Sequence, residues 1–188
     1  MQTRYGCQGE NDAPPCGDNA PFAEYASCVR GCSARMLTGR ACGDDSATLE
    51  QVPDLTARAL ETLERAVDFV GLTEHWAASI CLFHARFGGP CLASEFVNTR
   101  PNPDPNATLD ARLADAWPGD PVDEAVYTAA AERFWAQIDE HKLSRDVCAR
   151  QICPDVEATL FDQEGSWTPK ARDVSQVLKA SAVQDGRD

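Results

Sequence analysis

The chain has 188 residues, 43% of them hydrophobic, which suits one domain or a large piece of one. Thirty acidic residues against 17 basic ones give a formal net charge of −13. Lysine occurs only at Lys142, Lys170 and Lys179, so no basic face is left to displace counterions from nucleic acid, and an anionic membrane surface is disfavoured for the same reason.

Residues 1–24, rich in Gly, Pro, Asn and Asp, read as a loop or disordered lead-in. The stretch 25–43 predicts a short helix ending near Gly39. A clear helix follows over 54–67, with Asp54 as its cap and Leu55, Ala59, Leu63 and Val67 at intervals of four. The run "DFVGL", 68–72, is short, apolar and glycine-bounded, which predicts a strand buried on both faces of a parallel sheet.

The next predicted helix covers roughly 74–87, with Thr73 at its N-cap and Glu74 at the positive end of its dipole. Trp76, Ile80, Phe83 and Phe87 share one stripe, joined by His84, and that stripe is expected to cover the sheet. Gly88-Gly89-Pro90 ends the helix.

Residues 93–120 read as a loop, because prolines at 101, 103 and 105 exclude a helix there. Asp120-Pro121 then opens another helix, with the carboxylate as cap and proline at the first helical position. Val126, Tyr127, Ala130, Phe134, Trp135 and Ile138 are its predicted apolar face. A further helical piece over 143–152 leads to Cys153-Pro154, and residues 161–188 read as a mobile tail. The organisation expected is therefore a lead-in over 1–24, one domain over 25–160 and a tail, with no internal repeat and no second domain.

Nine cysteines, several in close groups, suggest an oxidising compartment, and the odd count leaves at least one thiol free or bonded to another chain. Buried reduced cysteine is the plain alternative. Zinc is a third, although Cys28 and Cys32 lack the tight two-residue spacing and no histidine pair follows at ligand spacing, so no metal is expected. Asn106-Ala-Thr108 is an N-glycosylation acceptor, which with the cysteines leans towards the secretory pathway. No apolar run in residues 1–25 resembles a signal peptide and no stretch is long enough to span a bilayer, which suggests a truncated chain.

Neither G-x-x-x-x-G-K-[ST] nor G-x-G-x-x-G occurs, and "TPKARDVS", 168–175, has no glycine and follows no strand. His75 and His84 are nine residues apart on one predicted helix and lie on different faces, so they cannot chelate together. Adjacent Glu74 and His75 point about 100° apart, which predicts solvated or capping roles rather than a base and its orienter. The polar cluster Asn98-Thr99-Arg100 is the strongest candidate site: the arginine fork suits phosphate or sulfate, and the alternative is an ordinary polar loop.

The stretch "FVGLTEHWAASICLFHARFGG", 69–89, resembles a segment of Golgi carbohydrate O-sulfotransferases, in particular the heparan sulfate 2-O-sulfotransferase-like group, with its "VGxTE" strand-turn and apolar helix. Arg35 to Gly39 with Cys42-Gly43, the helix 54–67 and "DEAVYTAAAERFW", 123–135, fall in matching order, so that the resemblance spans roughly 25–140. It implies an α/β fold: the C-terminal part of a P-loop NTPase-like sulfotransferase domain, mostly helical in this chain with one or few parallel core strands. It implies sulfuryl transfer from 3′-phosphoadenosine 5′-phosphosulfate (PAPS) to a sugar hydroxyl of a glycan acceptor, in the Golgi lumen or secretory pathway. Asn98, Thr99 and Arg100 would then lie near cofactor or acceptor. The family's phosphosulfate-binding loop and base belong to its N-terminal half and have no counterpart here, so no catalytic residue is assigned. The alternative is a non-catalytic secreted, disulfide-containing interaction domain.

Overall fold

The computed structural model describes residues 22–42, 52–97, 119–162 and 167. Within them the chain is mostly helical and divides into two compact units: residues 1–67 with 104–127, and residues 68–103 with 128–188.

The first unit contains α1 (Phe22–Val29), α2 (Cys32–Leu37), α3 (Val52–Arg65) and the opening turns of α5 (Pro121–Glu140). The single helix expected before Gly39 is thus two helices, broken at Gly31, whose φ of 69° is accessible to glycine at little cost. In α3 the predicted stripe is inward-facing: Leu55, Ala59 and Leu63 are buried. Asp54 lies in the first turn of that helix, which begins two residues earlier than expected, at Val52. Leu55 and Ala59 pack with Ala34, Val122 and Val126 in one apolar cluster, flanked by Leu37.

The start of α2 has no side-chain cap of its own. Its donors are satisfied from the start of α5 instead. Asp123 accepts the Ser33 N–H at 2.9 Å and the Ala34 N–H at 3.0 Å, and Asp120 accepts the Gly31 N–H at 2.7 Å. Asp120 also caps α5 as predicted, since its other carboxylate oxygen accepts the Asp123 N–H at 3.1 Å. Behind α2 the buried Arg35 guanidinium donates to the Cys28 carbonyl (3.2 Å) and the Cys42 carbonyl (2.9 Å), and a disulfide joins Cys32 to Cys42.

The second unit is built around α4 (Trp76–Phe87). A 3-10 turn, Thr73–His75, precedes it and another, Ala93–Phe96, follows it. The last turns of α5 belong to this unit, followed by a helical turn α6 (Arg145–Val147) that widens into a π-turn over Cys148–Ile152, and a 3-10 turn, Ala158–Asp162. The π-turn places Cys148 and Cys153 beside α4 and its following segment, where they form disulfides with Cys81 and Cys91. Among the described residues Phe134 and Phe161 are the largest fully buried side chains, and Phe161 meets Phe96 edge-on with ring centroids 5.0 Å apart.

No strand occurs among the described residues, so the parallel core strand expected at 68–72 is corrected. Val70 and Leu72 are buried, but their segment forms no strand pairing among the described residues. The reason lies in Ser79. Its hydroxyl accepts the Leu72 N–H at 2.8 Å and sits 3.0 Å from the Leu72 carbonyl and 2.9 Å from that of His75, doing locally what a neighbouring strand would do. The Asp68 carbonyl accepts from the guanidinium groups of Arg86 and Arg133. The described residues are mostly helical, and no helix among them is long and apolar enough to cross a membrane.

Candidate functional site

The predicted site residues Asn98, Thr99 and Arg100 and the glycosylation acceptor Asn106 lie outside the described residues. No group of His, Cys, Asp and Glu suited to a metal ion occurs among the described residues. Among the described residues, an apolar groove lies on the second unit. It is formed where Phe69–Thr73 runs beside α4.

Its position follows from how α4 is turned. Helical spacing puts Ala77, Ala78, Cys81, Leu82 and His84 on the buried side. The aromatic stripe predicted to cover a sheet faces outward: Trp76 is 43% exposed, Phe83 40% and Phe87 52%, with Ile80 half-buried between them. Small residues thus occupy the face that packs against the π-turn and the disulfides, where close approach is needed, and large ones remain at the surface. His84, expected on the stripe, is buried at the edge of it, its ring edge-on to Phe83 at 5.5 Å.

The groove has a volume of about 250 Å³ and is lined by Phe69, Leu72, Trp76, Ile80 and Phe83, with Gly71, Thr73 and Ser79 at its floor and rim. Phe69 meets Phe83 edge-on at 5.5 Å and Phe87 at 6.2 Å, and Phe83 and Phe87 are 5.1 Å apart, so three rings make one continuous surface cluster. Arg86 covers the far end, its guanidinium 5.2 Å from the Phe87 ring centre. Gly71 allows a close approach: a Cβ there would lie 3.1 Å from the Ser79 Cβ and 3.2 Å from the Phe69 ring, so that one of these neighbours would have to shift slightly. The Ser79 hydroxyl is already taken up by backbone groups, which leaves an apolar floor.

Three hydrogen bonds fix the wall carrying Trp76. Its indole N–H donates to the Glu95 carbonyl at 2.7 Å. The Glu95 carboxylate accepts the Leu92 N–H at 2.7 Å and stands 3.0 Å from His84 Nε2. The Leu92 N–H first, and His84 second, hold the Glu95 carboxyl below its ordinary range against the opposing effect of burial.

His75 corrects a second expectation. It is fully buried rather than solvated or capping, in the turn before α4, with its ring 6.2 Å from Phe134 and 4.9 Å from Trp135. Thr73 does not cap the helix either; its hydroxyl lies 3.3 Å from the Glu74 carboxylate. His141 is exposed after α5. The groove was legible in part, since the Trp76, Ile80, Phe83 and Phe87 stripe is plain in the sequence and only its direction was not. Comparison with protein-family models, with curated proteins and with solved structures finds no match to this chain.

Proposed function

We propose that the chain is a secreted or luminal, disulfide-stapled interaction domain that engages a partner through the Phe69–Trp76–Phe83 groove. The observation that carries this reading is the outward aromatic stripe of α4. Large apolar side chains gathered in one exposed patch, rather than scattered singly, mark interaction surfaces. The groove's 250 Å³ is below the roughly 300–1,000 Å³ of small-molecule sites. A cavity of about 150 Å³ holds benzene, so the groove suits one or two apolar side chains of a macromolecule. Disulfides Cys32–Cys42, Cys81–Cys148 and Cys91–Cys153 fit an oxidising compartment.

The test is a photo-crosslinking residue, p-benzoylphenylalanine, placed at Phe83 or at the exposed control position Gln151, in chain expressed through a secretory cell. A discrete adduct formed from position 83 and not from 151 supports the reading. Equal labelling from both positions, or none, overturns it.

A second reading is the C-terminal portion of a P-loop-type carbohydrate sulfotransferase of the Golgi lumen. Its support is the "VGLTE" resemblance together with the turn at Thr73–His75 that delivers residues 68–72 into α4. In that reading Asn98, Thr99 and Arg100 contact PAPS or the glycan acceptor. Sulfuryl transfer needs an in-line hydroxyl, a base and cations on the developing charge, and these come from a partner half. Calorimetric titration of the chain with 3′-phosphoadenosine 5′-phosphate tests it: weak saturable binding abolished by Arg100→Ala supports it, and no binding at millimolar nucleotide counts against it.

A further inference from the structure

Resting on the interaction-domain reading, we infer that the groove accepts the apolar face of a cationic amphipathic helix. The shape argument is one of length. From Trp76 to Phe87 the stripe runs three turns of α4, about 16 Å at 1.5 Å per residue. That is the span of side chains at i, i+4, i+7 and i+11 on a second helix, and an amphipathic helix seats its anchors in an apolar groove at such spacing. The groove between Phe69 and Phe83 takes the central anchor, and Trp76 and Phe87 flank it.

The sign of the partner follows from charge. The chain carries −13 overall. Over residues 68–97 and 128–162 of this unit, ten acidic residues stand against five basic ones, a balance of −5. At the groove itself Asp68 directly precedes Phe69 and Glu74 directly follows Thr73, with Glu95 behind Trp76. Among the described residues the cations nearby are Arg86, which lies over Phe87 and donates to the Asp68 carbonyl, and Arg133, which donates to the same oxygen. A second copy of the chain would bring like charges together, and an anionic membrane would do the same; a basic segment gains on approach and in the complex.

Calorimetric titration with three synthetic 18-residue peptides tests this on the full chain with disulfides intact. One combines Leu and Lys at amphipathic helical spacing, one replaces Lys by Glu, and one keeps Lys but replaces Leu by Ser. The expected result is saturable one-to-one binding of the Leu/Lys peptide alone, weakened at least tenfold by Phe83→Ser and several-fold by Asp68→Asn with Glu74→Gln. Phe87→Ser, at the most exposed ring of the stripe, provides a second variant should Phe83→Ser fail to fold. Binding of the Leu/Glu peptide with equal affinity, or Leu/Lys binding indifferent to both serine variants, overturns the inference. So does sedimentation equilibrium showing a dimer that Phe83→Ser dissociates. A position-83 crosslink to a partner without any Leu/Lys binding sinks the cationic helix and leaves the interaction domain standing; loss of the crosslink removes both.

Discussion

His84 Nε2 and Glu95 Oε2 stand 3.0 Å apart, joining α4 to the turn that holds Trp76 in place. The Glu95 carboxyl is held below its ordinary value of about 4.5, so the folded chain binds its proton more weakly than the unfolded chain does. A group depressed in this way contributes stability above the unfolded pKa, and that contribution is lost as pH falls through the folded one. Urea midpoints measured from pH 7 to pH 3 are therefore expected to decline below about pH 4.5. Glu95→Gln is expected to decline less steeply over the same window. Parallel curves for the two proteins would show that Glu95 plays no part.

Trp76 and Phe134 are both large aromatics of the second unit and are predicted to differ sharply in weight. Trp76 is 43% exposed and makes one indole hydrogen bond. Trp76→Ala is expected to cost about 1–2 kcal/mol, from that bond and partial burial. Phe134 is fully buried, so Phe134→Ala is expected to cost about 3–5 kcal/mol. Chemical denaturation of the two variants beside the parent checks the order, and the reverse ranking would mean that α4 is turned inward.

Asp123 receives two backbone donors from the start of α2, 89 and 90 residues away in sequence. Asp123→Ala leaves both without that acceptor, and the expected loss is about 1–2 kcal/mol, as for a missing helix cap. Asp123→Asn should recover part of it, because the amide oxygen still accepts. The readout is the urea midpoint at unchanged slope.

Thiol counting decides the cysteine chemistry. Six cysteines form the three bridges Cys32–Cys42, Cys81–Cys148 and Cys91–Cys153, and Cys28 is disulfide-bonded as well. With the partner of Cys28 that accounts for eight of the nine, so one thiol per chain should react with a chromogenic disulfide reagent in denaturant, and nine after reduction. Nine before reduction would return the cysteines to the reduced, buried alternative.

Sequence periodicity alone located α3, α4 and α5 and the stripes along them, because a 3.6-residue repeat of apolar side chains is a local property. The Asp120 cap was equally local, one carboxylate three residues before the N–H it accepts. What failed at 68–72 was an inference about partners: an apolar, glycine-bounded run carries no record of whether a strand or a serine seven residues on will satisfy its backbone. Likewise the residues of α4 specify two faces, one large and aromatic, one small with Cys81. Which face turns inward was decided by the Cys81–Cys148 bridge and the crowded π-turn, contacts spanning 67 residues that only the folded chain brings together.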